Sequence, residues 1–347
     1  QALHKRWLGI VFAISLIFCF ALGFNGLQTY NMSSSIEYFY NQAVINSAGA
    51  PGYFETQIPF AIGLLLAIVF AFVLFGGTHR ISFLTSAIVP AMAILYLVLA
   101  IVMAVMNAGA LPDVFRLIFQ EAFDFSSIVG GFAGSMIVQG IKRGLFSNEA
   151  GMGSAPIIAA SAQTKNPVRQ ALVSSSGTFW DTVVICAITG LTIVSSILAY
   201  PDIQISDGGE LTQLAFSKIP YIGRPLLAFG TLTFAFSTIL GWGIYGERGI
   251  EYLARKIIRR HCLKRGISPS SAEMEAKMRS VNNAYRIIYL ITVYLGAVVS
   301  LDLVWNLADI FNALMAMPNL LCLLFLSGVI VKETRKYLWD GSIDENM

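Results

Sequence analysis

Eight apolar runs set the terms on which this chain can fold: residues 7–27, 58–75, 81–106, 127–162, 169–199, 221–252, 284–301 and 303–331. A helix needs about 20 apolar residues to cross the hydrocarbon core of a bilayer. Water is absent there, so a spanning segment must satisfy its own peptide groups, and a helix does so within one segment. Charged residues make up only 12% of the 347, against 56% hydrophobic; soluble domains carry roughly 25% charge. The expected fold class is all-α, a polytopic membrane protein. The first run is expected to continue as helix toward Tyr40.

The fourth run does not read as a plain membrane helix. GIKRGLFSNEAGMGSAPIIAASA, residues 140–162, places Lys142, Arg143, Asn148 and Glu149 near its middle, among Gly144, Gly151, Gly153 and Pro156. Gly and Pro weaken a helix, and charge at membrane depth is costly. Irregular backbone survives at that depth only where it is buried in protein or lines a cavity. The run is therefore expected to be a discontinuous helix with its ends aimed at a ligand or ion. Two short helices joined by a surface loop are the plainer alternative.

Loop charge gives an orientation, since Lys and Arg stay on the cytoplasmic side. His4, Lys5 and Arg6 precede the first run, and His79 and Arg80 follow the second. Lys165 and Arg169 follow the fourth, a basic loop over 255–279 follows the sixth, and Lys332, Arg335 and Lys336 follow the eighth. The alternate loops, 41–57, 107–125 and 200–218, are acidic or nearly uncharged. This pattern puts the N-terminus in the cytoplasm. LPDVFRLIFQEA, residues 111–122, is expected to form an amphipathic helix outside the membrane. The basic stretch 259–281 reads as a solvated loop touching anionic lipid headgroups, with no sign of nucleic-acid binding. Cys19, Cys186, Cys262 and Cys322 show no paired spacing and are expected to be free thiols.

Three further runs carry polar residues at membrane depth. Asp181, in SSSGTFWDT, reads either as a functional carboxylate or as the ion-pair partner of Lys142 or Arg143. Ser237 and Thr238 can flank an ion beside a carbonyl of the preceding turn, and hard oxygens suit sodium. Alternatively, both hydroxyls bond back to their own helix, as is usual in membrane helices. Trp242 lies one turn beyond Thr238. Asp309 and Asn312 share a helix face, and gating or packing is their expected role.

GLFSNEAGMGSAP at 144–156 closely resembles the signature of the sodium:alanine symporter family, also called alanine or glycine:cation symporters. TKNPVRQALVSSSGTFWDT, FAFSTILGWGIYGER and WNLADIFNALMAMPN resemble the same family. It belongs to the amino acid–polyamine–organocation superfamily, with a leucine-transporter-like inverted-repeat fold. The resemblance implies that residues 1–126 hold the last three helices of the first repeat plus an extracellular helix. Residues 127–347 would hold the second five-helix repeat, opened by a broken helix, and a cytoplasmic tail. On that reading the family's first two helices, with half of the binding site, are not in this chain.

Residue by residue, the resemblance makes the Phe234 carbonyl, Ser237 and Thr238 ligands of sodium. Trp242 would line the amino-acid pocket opposite Phe146 and the unwound backbone from Gly144 to Gly151, with Ser147 and Asn148. Glu149, Asp181 and Asp309 are candidates for coupling or gating. The implied function is secondary active symport of sodium with a small neutral amino acid, alanine or glycine, into the cell. Na+ is the coupling ion, and no organic cofactor is expected. The expected partners are the amino acid, sodium and the lipid bilayer, and the place is a bacterial or archaeal inner membrane. A proton-coupled permease and, further off, an ion channel are the alternatives. The serine of GMGS at 151–154 would need a base to act as a nucleophile. His4, His79 and His261 all fall in cytoplasmic segments, so no enzyme is expected.

Overall fold

The computed structural model describes residues 5–48, 57–122, 138, 140, 144, 148–203, 208–264, 271–340 and 343. Among these residues every regular element is helical. Helix α1 (Arg6–Phe18) passes through a π-helical stretch, Cys19–Phe24, into α2 (Asn25–Ala48). Helices α3 (Ile58–Leu74), α4 (Gly77–Met106) and α5 (Leu111–Ala122) follow. Two short pieces come next, α6 (Glu149–Met152) and α7 (Ala155–Ala159). Helix α8 (Pro167–Thr178) continues through a π-helical stretch, Phe179–Ile185, into α9 (Cys186–Ala199). The rest comprises α10 (Gly208–Phe216), α11 (Gly223–Lys264), α12 (Ser271–Val298) and α13 (Leu301–Thr334), which ends in a π turn at Arg335–Trp339.

Among the described residues, five stretches are long and apolar enough to cross a membrane: Arg6–Glu37, Gly77–Met106, Pro167–Ala199, Gly223–Lys264 and Leu301–Trp339. Ile58–Leu74 is apolar but shorter. The seventh expected span lies largely in α12, where Arg286 and Thr292 interrupt the apolar run. The fourth lies largely outside the described residues, but its C-terminal part is broken as expected. Between α6 and α7 the backbone turns at Gly153, whose φ is +88°. An L side chain rarely adopts that angle, and a Cβ on residue 153 would also sit 2.6 Å from the Asn319 side chain.

Local signals explain several boundaries. Pro59 stands in the first turn of α3 and Pro167 opens α8, positions where a missing N–H costs nothing. The Asn166 side chain caps α8 by accepting from the Arg169 amide at 2.9 Å. Gly77, at φ +81°, reverses the chain between α3 and α4. Arg80 then donates to the Phe72 carbonyl at 2.8 Å and lies over the Phe72 ring, which closes the α3 end. The sixth expected span ends at 252, but α11 runs on to Lys264. Part of the expected basic loop is therefore helix. Its Arg, Lys and Leu are good helix formers, and cations favour a helix C-terminus.

The chain divides into two compact units, each interleaved in sequence. One comprises Gln1–Val89, Met152–Ala162 and Thr231–Ser342. Its core joins Ile62, Leu66, Phe70 and Leu74 of α3 to Ile239 and Leu240 of α11 and Tyr289 and Val293 of α12. The other comprises Pro90–Gly151, Gln163–Gly230 and Ile343–Met347, with Leu99, Ala100, Met103, Phe216 and Leu227 at its core. There Asn107 donates to Ser195 and Ser196, both at 3.1 Å, and ties α9 to the end of α4. These units describe packing, whereas the two expected repeats describe internal symmetry, so the 126/127 division is a separate question.

Candidate functional site

The oxygen cluster expected on α11 forms for a local reason. In a helix the carbonyl of residue i lies within reach of side chains at i+3 and i+4. Ser237 Oγ accordingly donates to the Phe234 carbonyl at 2.9 Å, and Thr238 Oγ1 to the same oxygen at 2.8 Å. Three hard oxygens thus converge on one turn. This is the back-bonded arrangement common in membrane helices. The same three oxygens serve either reading, a back-bonded helix turn or a cation site.

The helix carrying this cluster is fixed by its neighbours in the first unit. The phenol of Tyr289, fully buried, donates to the Ile239 carbonyl at 2.7 Å, one residue past Thr238. One turn on, Trp242 is 8% exposed. Its ring lies 5.1 Å from that of Phe24 and 5.8 Å from that of Phe20, both in the π-helical stretch of the first span. The π turn itself meets α13 closely, since a Cβ on Gly23 would lie 2.7 Å from the Ala308 Cα. Trp242 therefore belongs to an aromatic group with Phe20 and Phe24.

On the broken segment, Phe146 and Ser147 lie outside the described residues, as do Lys142 and Arg143. Gly144 is helical, and Asn148 stands just before α6. Its Oδ1 accepts from the Ala150 amide at 2.9 Å, a local turn that opens the short helix. Glu149 and Gly151 fall inside that helix. Asp181 lies in the π-helical stretch Phe179–Ile185, and it is exposed. Asp309 is half-buried on α13, and Asn312, one turn later, is buried.

Two polar groups are not prominent in the sequence. Asn25 is fully buried at the start of α2, where its Nδ2 donates to Thr292 Oγ1 at 2.9 Å and faces the Tyr289 carbonyl at 3.3 Å. Its Oδ1 has no partner. The available signal was a lone amide inside an apolar run, between Gly23 and Gly26. The second group joins α11 to α12: Arg286 Nη2 donates to Glu247 Oε1 at 2.6 Å, and Asn282 Nδ2 to Glu251 Oε1 at 2.8 Å. Arg248 reaches the other Glu251 oxygen at 3.1 Å.

A profile of the sodium:alanine symporter family matches residues 1–346. The sodium/alanine symporter AgcS of Methanococcus maripaludis is 43% identical over 281 residues, covering 80% of this chain and 57% of that protein. The probable sodium/glutamine symporter GlnT of Bacillus subtilis is 35% identical over 340 residues, 97% of this chain and 63% of its own length. The amino-acid carrier protein AlsT of the same bacterium is 34% identical over 340 residues, with 97% and 64% covered. The chain thus spans less than two thirds of each of these relatives. The match over nearly every residue, together with the all-helical, membrane-length architecture, means that the chain belongs to the sodium:alanine symporter family.

Proposed function

We propose that this chain forms part of a sodium-coupled symporter that carries a small neutral amino acid, alanine or glycine, into the cell. The observation that carries the reading is the convergence of the Phe234 carbonyl, Ser237 and Thr238 on one turn of α11. Hard oxygens without a thiolate or imidazole suit an alkali cation. In this reading sodium sits at those oxygens, and the amino acid contacts Trp242 and the backbone of 144–151, with Phe146, Ser147 and Asn148. Glu149, Asp181 and Asp309 act in coupling or gating. The fold is a leucine-transporter-like pair of inverted repeats, with the second beginning at residue 127.

Coupling requires no covalent chemistry. If sodium and substrate each favour the same occluded state, each raises the other's affinity by the same factor. The inward sodium gradient then drives accumulation. The relatives are named for alanine in one case and glutamine in another, so the size of the side chain accepted is the open variable. The ring of Trp242, held by Phe20 and Phe24, would set it.

The test is uptake of labelled alanine by the complete transporter in proteoliposomes, under sodium, lithium and proton gradients in turn. Uptake that follows sodium, and a raised sodium requirement in the Ser237→Ala/Thr238→Ala variant, supports the reading. Uptake driven equally by protons alone, or an unchanged sodium requirement in the variant, overturns the assignment of those hydroxyls. Unlabelled glycine, alanine, serine, valine and glutamine as competitors rank the substrate.

A further inference from the structure

We propose that a basic cavity formed by α1, α11 and α13 binds the phosphate of an anionic phospholipid. The cavity has a volume of about 1000 Å³. Lys5, Arg6, Arg255, Lys256, Arg259 and Arg260 line it, and no acidic residue does among the described residues. The four cations of α11 follow the i, i+1, i+4, i+5 spacing that gathers side chains on one helix face. Lys5 and Arg6 come to them from the first turn of α1.

Three observations separate this cavity from an ordinary basic surface. The first is the state of the charges. Arg248 and Arg286 both hold carboxylates within the fold, through Glu251 and Glu247. The six cavity cations make no ion pair among the described residues. Six like charges brought together without counter-charge repel one another, and an anion relieves that repulsion. The second is the α1 start. Lys5 is its N-cap, no side chain caps it, and no acid stands in its first turn. The positive end of the helix adds to the same field. The third is the rest of the wall. Leu8, Leu263 and Leu326 are apolar, and Tyr252 brings a phenol. The phenol lies along α1 at Gly9, where a Cβ would stand only 3.1 Å from its oxygen.

A free phosphate would use the cations and leave the leucines idle. A glycerophospholipid uses both, with its phosphate at the arginines and its acyl chains along Leu8, Leu263 and Leu326. Basic pockets between membrane helices on the cytoplasmic side are suited to such headgroups. The orientation read from loop charge places this cavity on that side. Nothing in the proposal depends on the transport reading, because lipid retention is measured without transport.

The experiment is native mass spectrometry of the complete transporter chain, titrated with phosphatidylglycerol and, separately, phosphatidylcholine. The unaltered protein should retain phosphatidylglycerol in clear preference. The R255Q/R259Q/R260Q variant should lose at least about tenfold of that preference, since each basic residue near an anionic headgroup contributes roughly a factor of five. R255K/R259K/R260K should keep most of it, which separates lost charge from lost fold. Arg279→Gln, on an exposed basic residue outside the cavity, should change nothing. An unaltered preference in the glutamine variant overturns the proposal, as does an equal loss in Arg279→Gln. Displacement of the lipid by millimolar glycerol 3-phosphate or inorganic phosphate would assign the cavity to a soluble phosphate and overturn the lipid assignment.

Discussion

Two parts of helix α12 hold their neighbours by different means, the first against α11 and the second against α2 and α11. Toward its N-terminus the contacts are ionic: Arg286 with Glu247, and Asn282 with a Glu251 that Arg248 also reaches. Toward its C-terminus they are neutral and close. Thr292 accepts from Asn25, Tyr289 reaches the Ile239 carbonyl, and Gly296 meets Gly26 backbone to backbone. The charged end adjoins the basic, water-facing extension of α11, and the neutral end lies among the apolar runs. Charge at depth is costly, so the interior of the bundle relies on small residues and single neutral hydrogen bonds. The glycines at the two ends also differ. A Cβ on Gly296 would lie 2.7 Å from the Gly26 Cα, which cannot move without the helix. A Cβ on Gly246 would strike the Tyr285 hydroxyl, the tip of a side chain.

Changes at these contacts should rank by what is left stranded. Arg286→Ala should have the largest effect, because it leaves the Glu247 carboxylate, 7% exposed, without its guanidinium. Breaking one partner of a buried pair costs about 3–5 kcal/mol. A Glu247→Met/Arg286→Met double variant should regain most of that in thermal unfolding of the detergent-solubilised protein. If the double variant is as unstable as the single one, the cost lies in packing and not in stranded charge.

Gly296→Ala should come next, at about 1–3 kcal/mol, the range for overpacking a filled site. No side-chain trimming nearby should rescue it, since the obstacle is backbone. Gly246→Ala should fall below it and be eased by Tyr285→Leu, which removes both the hydroxyl and the ring carbon Cζ that would stand 2.6 Å from the added Cβ. Rescue at both glycines, or at neither, would abolish the distinction between the two ends.

Asn25→Ala should cost less again, about 0.6–1.7 kcal/mol, as interhelical neutral hydrogen bonds in membranes do. Asn25 Oδ1 already lacks a partner, so removing the side chain takes a donor from Thr292 Oγ1 and, at longer range, from the Ala21 and Tyr289 carbonyls. A loss matching that of Arg286→Ala would show that the neutral end is held as firmly as the ionic one.

The smallest effect is expected at an exposed pair in the other unit, where Lys218 sits beside Asp202 and over the Tyr200 ring. The Lys218 ammonium holds the Asp202 carboxyl below the usual carboxylate range. A lowered carboxylate value means that the pair stabilises at neutral pH and stops doing so as pH falls through that lowered value. Exposed pairs contribute little, so Lys218→Gln should leave the unfolding midpoint at pH 7 within error of the unaltered protein. A clear drop at pH 7 that vanishes in acid would promote this pair to a structural role.

What the sequence determined by itself is what depends on near neighbours in the chain. Apolar length predicts the long helices, and five stretches of membrane length are found among the described residues. Gly and Pro over 151–156 predict a break, and the chain turns at Gly153. LPDVFRLIFQEA predicts an amphipathic helix, which forms at Leu111–Ala122. The oxygen cluster at Phe234, Ser237 and Thr238 was legible because helical spacing alone brings i, i+3 and i+4 together. The tertiary structure alone decided the rest. Asn25 and Thr292 are 267 residues apart in the chain, and Glu247 and Arg286 are 39 apart. The aromatic neighbours of Trp242 and the gathering of Lys5 and Arg6 with the α11 arginines also depend on which helix faces which. Periodicity specifies how wide an apolar face is but not its partner, because one apolar face packs against another with little regard to identity. Close fits at Gly23, Gly26, Gly246 and Gly296 then select the neighbour, and they exist only once two helices have met.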